Sequence, residues 1–177
     1  MEGYRDTPEL LRIPSLNYLL VNAPDPYYSG FSWYDINGDA NPGVLRSRAM
    51  LTALLDSLTN QYPAENIGLF GFSQGCLMTL ETGLRYPKKL AGLVGISGYL
   101  NNANLLVAEL PPAAKDQLVL WTHGTRDPLI PLDGVRAQME DTRSAGVNIE
   151  WHEFQKEHTI IPREIEVIRA FLTKAFA

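Results

Sequence analysis

Hydrophobic residues along the chain gather in short runs: LNYLLVN (16–22), NIGLFGF (66–72), LAGLVGIS (90–97), QLVLWTH (117–123) and VNIEWHEF (147–154). The middle three are almost unbroken, as expected of parallel strands covered by helices on both faces. The last alternates. It sets Val147, Ile149 and Trp151 against Asn148, Glu150 and His152, which suits an edge strand with one wet face. Between the runs lie helical segments. Residues 44–62 carry Leu45, Met50, Leu51, Leu54, Leu55 and Leu58 near helical spacing, with Pro42 where a first turn tolerates it. A second helix spans 76–87 and stops at Pro87. A third, 132–145, ends before Gly146 at a C′ position, and a fourth, 162–176, opens on Pro162. Alternation of strand and helix predicts an α/β architecture, a mainly parallel sheet with right-handed crossovers. The segment NNANLLVAELPPAAKD (101–116) is the least regular. As a loop it would lie beside the C-terminal strand ends, where open α/β sheets bind ligands, either as a pocket wall or as a surface excursion.

Composition narrows the function classes. A chain of 177 residues predicts one domain, 1–177, and its 45% apolar and 20% charged residues are those of an ordinary globular protein. A net charge of −5 argues against a nucleic-acid or anionic-membrane surface, since both reward clusters of Lys and Arg. Cys76 is the only cysteine, so no intrachain disulfide forms. No apolar run approaches the ~20 residues that span a bilayer. The start, MEGYRDTPEL, lacks the apolar segment of a signal peptide, so a cytoplasmic location is expected. Three scattered histidines and one cysteine offer no HExxH or CxxC spacing, and no GxGxxG or GxxxxGK[ST] occurs. The expectation is no metal and no cofactor.

The stretch GLFGFSQGC (68–76) carries the sharpest chemical signal. It places Ser73 in a Gly-x-Ser-x-Gly run after an apolar strand and before a helix, the setting of a nucleophile elbow. The flanking glycines are expected to remove side chains that would clash as strand and helix pack closely. The Gln74 N–H then points at the reacting carbonyl oxygen as an oxyanion donor, aided by the helix dipole. The bland alternative is a tight turn without chemistry. A serine hydroxyl needs a base, and the base needs an orienting acid, in the chain order Ser, Asp or Glu, His. THGTRDPLIP (122–131) supplies Asp127 after the fourth run, and KEHTIIP (156–162) supplies His158 after the fifth. The rivals are weaker: His123 suits a bond to a local carbonyl, His152 lies on the polar strand face, and Asp133 fits the N-cap region of the next helix.

With these residues in place the chain resembles the small α/β-hydrolases of the carboxylesterase/phospholipase family, acyl-protein thioesterases among them. The likeness runs from about residue 17 to 172. It rests on NAP (22–24), SWYDI (32–36), GFSQG (71–75), GISGYL (95–100), HGTRDPLIP (123–131) and HTI (158–160). It implies a serine esterase or thioesterase acting on simple acyl esters, with catalytic residues Ser73, Asp127 and His158 and an oxyanion donor at Gln74. It also implies that Trp33 lies near the rim of the active site, a core tryptophan being the alternative. Within the enzyme class the rivals are a peptidase and a dienelactone-type hydrolase, the latter normally with a cysteine nucleophile.

Two departures from the family pattern stand out. Glu157 occupies the place, just before the histidine, where relatives usually carry glycine, a modest change that sets a carboxylate beside the base. In addition, no HGxG-like loop precedes the first apolar run, Met1 falling about where that loop should end. In the family that loop supplies a second oxyanion donor, and its strand lies between the NAP strand and the elbow strand. The expectation is therefore an N-terminally shortened fold, with one of three outcomes. The chain starts too far downstream, runs 16–22 and 66–72 pair directly, or another chain, as in a homodimer, fills the gap. Loss of one donor costs ~10²–10³ in turnover, so a weakly active or non-catalytic relic is the alternative function. With no long apolar lid in the sequence, short to medium acyl chains are expected to be preferred. A ladder of p-nitrophenyl esters should show rates falling towards octanoate; equal rates from acetate to octanoate would contradict this.

Overall fold

The computed structural model describes residues 5–177. A short helix α1 (Thr7–Leu11) leads through extended chain to a hairpin of β1 (Asp25–Tyr27) and β2 (Gly30–Ser32), then to the long helix α2 (Ala40–Thr59). There follow β3 (Gly68–Phe72), α3 (Gln74–Gly83), β4 (Gly92–Ile96), α4 (Ala103–Ala108), β5 (Leu118–Gly124), α5 (Leu132–Ser144), β6 (Asn148–Phe154) and α6 (Pro162–Ala175). Strands β3-β4-β5-β6 form one sheet in that order, every neighbouring pair parallel. Parallel neighbours need a crossover, and α3, α4 and α5 provide one at each step.

The alternation of strand side chains divides the core between the two faces of the sheet. Leu93, Val119, Trp121 and Ile149 point to one side, where they meet Leu80 of α3, Leu84 at its C-cap, and Val135 and Met139 of α5. Val94, Ile96 and Leu120 point to the other, against Ile165, Ile168, Phe171 and Leu172 of α6 and Leu11 of α1. The central strand β5 is buried along almost its whole length, as its unbroken apolar run predicts. In β6 Ile149 is buried while Asn148 and Glu150 face solvent, the wet edge that the alternation predicts.

Helix ends follow local chemistry. The Asp39 carboxylate caps α2 by accepting the Asn41 N–H (3.0 Å). Gly146, at φ +97°, takes the left-handed conformation that closes α5. Pro162 opens α6, and Glu164 in its first turn reaches back to the Ile161 N–H (3.4 Å).

Three sequence expectations need correction. The run 16–22 is not a strand: it enters no ladder, and β3 pairs only with β4, so the direct pairing of 16–22 with 66–72 does not form. Side-chain packing takes the place of a ladder there. Leu16 and Tyr18 join Phe70 and Phe72 on the α6 side, while Leu19 is 62% exposed. The β1–β2 hairpin is unforeseen, and residues 101–116 hold α4 and a 3₁₀ turn (Pro112–Lys115) rather than plain loop.

Candidate active site

At the C-terminal end of β3 the chain reverses into α3 through Ser73, whose backbone sits at φ +56°, ψ −118°. A non-glycine residue held there stores roughly 1–3 kcal/mol of strain, which the surroundings must overcome. Two contacts do so. The Ser73 N–H donates to Ile96 O (2.9 Å) at the end of β4, and its C=O accepts the Leu77 N–H (3.2 Å) of α3. A Cβ at Gly71 would lie 2.0 Å from Gly75 O, so strand and helix backbones touch at that point. At Gly75 an added Cβ meets nothing within 4 Å. The expectation that both glycines relieve a clash therefore holds for Gly71 alone.

Asp127 lies in the turn after β5, with its carboxylate fully buried. Its Oδ1 accepts the N–H groups of Leu129 (2.9 Å) and Ile130 (3.0 Å). Its Oδ2 accepts from His158 Nδ1 (2.7 Å). Burial alone would raise its pKa, but these hydrogen bonds outweigh it and hold the carboxyl below the ordinary aspartate range. With Nδ1–H turned to Asp127, His158 presents Nε2 to the Ser73 hydroxyl (2.9 Å). Phe72 packs beside the imidazole, with ring centroids 4.8 Å apart. The structure thus brings Ser73, His158 and Asp127 into one hydrogen-bonded series.

The acid and base segments are also tied to each other. Thr125 N–H donates to Phe154 O (2.8 Å), and Arg126 N–H to Lys156 O (3.1 Å). A Cβ at Gly124 would lie 2.5 Å from Lys156 O, so the two backbones are in contact.

Gln74 occupies the first position of α3, where no carbonyl within the helix can take its N–H. Its side chain has work that the sequence does not reveal. Oε1 accepts the Trp33 N–H (2.9 Å), while Nε2 donates to Ser32 Oγ (3.0 Å) and Tyr34 O (3.2 Å). The amide therefore fastens the 32–34 segment beside the elbow. Trp33 is half-buried against the Tyr34, Leu77 and Met78 cluster, and its C=O accepts from Ser47 Oγ (2.6 Å).

The rival residues make other contacts, although His123 lies beside the series, its Nε2 3.9 Å from Asp127 Oδ2. His123 is buried and its Nε2 bonds Ile130 O (3.0 Å), the local carbonyl contact its sequence position suggests. Burial pushes its pKa down, which disfavours the charged imidazolium. His152 pairs with Glu150 at the edge of β6 (2.8 Å). Asp133 stands in the first turn of α5, beyond the cap residue Pro131, and pairs with Arg136 (3.2 Å). Glu157 is exposed. Cys76 is fully buried inside α3, where burial pushes its thiol pKa up, away from nucleophile chemistry.

The sequence model of the phospholipase/carboxylesterase family matches residues 14–176. The chain belongs to this family. Among curated family relatives, acyl-protein thioesterase 1 of Schizosaccharomyces pombe is 40% identical over 106 residues, covering 59% of this chain and 47% of that one. Carboxylesterase SOBER1 of Arabidopsis thaliana is 31% identical over 153 residues, covering 81% and 67%. The chain thus spans about half the length of the first of these relatives. The crystal structure of SOBER1 superposes with a TM-score of 0.88 at 23% identity, over 99% of this chain and 93% of that one. The Bacillus cereus carboxylesterase gives 0.85 at 17% identity, over 99% and 82%. At these identities the likeness is one of fold: this family member has the α/β-hydrolase architecture. Among the described residues no helix is long and apolar enough to cross a membrane.

The contrast between the two glycines of the elbow is testable. Gly71→Ala should cost more than about 4 kcal/mol or prevent folding, because backbone cannot yield as a side chain can. Gly75→Ala should be neutral or stabilise by up to about 1 kcal/mol. Urea denaturation of both checks this, and equal destabilisation would contradict it.

Proposed function

We propose that this chain is a serine hydrolase that cleaves carboxylic esters, thioesters included, through an acyl-serine intermediate. The observation that carries the reading is the series Ser73 Oγ to His158 Nε2 (2.9 Å) and His158 Nδ1 to Asp127 Oδ2 (2.7 Å), with the serine held at positive φ. The names of the relatives, thioesterases and carboxylesterases, agree with it.

The steps follow from the geometry. Ser73 Oγ attacks the acyl carbonyl while His158 Nε2 takes its proton. Asp127, held ionised by three hydrogen bonds, fixes the imidazole tautomer and stabilises the imidazolium. The Gln74 N–H, at the positive end of the α3 dipole, binds the developing oxyanion. His158 then gives its proton to the leaving alkoxide or thiolate. Water, with His158 again as base, releases the acid and restores Ser73. Trp33, fastened to Gln74, borders the substrate.

Hydrolysis of p-nitrophenyl butyrate tests the reading. Ser73→Ala and His158→Ala should each lower kcat by roughly 10⁴- to 10⁶-fold with the fold retained, and Asp127→Asn by about 10⁴-fold. Activity surviving in His158→Ala would move the base to His123. Wild-type turnover no greater than that of Ser73→Ala would favour the non-catalytic relic.

A further inference from the structure

Two residues before His158, a lysine is buried where lysines rarely are. The Lys156 side chain is 1% exposed and that of its partner Glu164 is fully buried. The ammonium has three donors and uses all of them: Glu164 (2.8 Å), Ser97 Oγ (3.0 Å) and Thr159 O (2.7 Å). Glu164 in turn accepts from Thr122 Oγ1 (2.6 Å).

Three features of this cluster bear on His158. First, the Lys156 ammonium bonds the Thr159 carbonyl, so it closes the short loop 156–159 that carries the imidazole. Second, it refers that loop to Ser97, the residue after β4, whose neighbour Ile96 receives the Ser73 N–H. Base and nucleophile are thereby fixed to adjacent residues of one strand end. Third, Lys156 O takes the Arg126 N–H from the Asp127 turn. The cluster touches all three segments and contributes no reacting atom.

A buried ion pair adds little net stability, and apolar residues of equal volume often serve as well. Stability alone therefore leaves the pair unexplained. We infer that Lys156, held by Glu164, is a positioning residue that sets the His158 Nε2 to Ser73 Oγ distance. This rests on the hydrolase reading above.

The test compares wild type with Lys156→Met/Glu164→Gln, which removes both charges, keeps the volume and retains an acceptor for Thr122. Lys156→Met alone strands a buried carboxylate and is expected to fold poorly. The double variant should keep its Tm close to that of wild type while amides of 156–159 exchange faster with deuterium and the sheet does not. Its kcat on p-nitrophenyl butyrate should fall roughly 10- to 100-fold, the cost of a misplaced catalytic group. KM should stay within about twofold, since ground-state binding is untouched. Unchanged exchange in 156–159 overturns the inference whatever the kinetics. So does unchanged kcat in an enzyme whose turnover depends on Ser73. Wild-type turnover independent of Ser73 would refute the hydrolase reading instead, and the exchange result would still decide whether Lys156 holds the loop.

Discussion

The contact between Gly71 and Gly75 is the constraint on which the rest of the molecule depends. Backbone meets backbone there, and a single methyl would overlap Gly75 O at 2.0 Å. This closeness turns β3 into α3 within one residue and leaves Ser73 the strained position. It also seats α3 directly on the sheet: a Cβ at Gly83 would lie 2.3 Å from Leu93 of β4. Elbow, helix and the neighbouring strand β4 are therefore packed as one body.

The parallel sheet supplies the common frame. Because β4, β5 and β6 run the same way, their C-terminal ends deliver Ser97, the Asp127 turn and the His158 loop to the same side as Ser73. Hydrogen bonds between the Asp127 turn and the Phe154–Lys156 backbone remove the freedom that would remain if each loop stood alone. Asp127 keeps its charge because three donors face it, and a charge held in a water-poor place stabilises an imidazolium more than one in solvent. On the proposed mechanism, strain at Ser73 and charge at Asp127 are both prepared by folding and need not be created during reaction.

Much of this is legible in the sequence because each feature has a local cause. The runs 66–72, 90–97 and 117–123 are unbroken because strands covered on both faces have no wet side. The meeting of Ser73, Asp127 and His158 is legible because each follows a strand of one parallel sheet. The run 16–22 misleads, since an apolar extended segment reveals nothing about whether a partner lies beside it, and pairing defines a strand. The β1–β2 hairpin, three residues a side around Tyr28-Ser29, is too short to show a period. The same holds for α4. Lys156 and Glu164 are invisible for another reason: lysine and glutamate face solvent by default, and only the convergence of β4, β5 and α6 buries them. Gln74 is half legible. Its N–H follows from the motif, but the grip of its amide on Ser32, Trp33 and Tyr34 spans about forty residues of sequence.

The central claim is that His158, oriented by Asp127, activates Ser73. Covalent labelling with a fluorophosphonate, read by intact mass and peptide mapping, tests it most directly, because the reagent reports nucleophile activation without depending on acyl preference. The account predicts a single adduct on Ser73, formed far more slowly in His158→Ala. An adduct on another residue, or labelling of Ser73 at the same rate without His158, would contradict it.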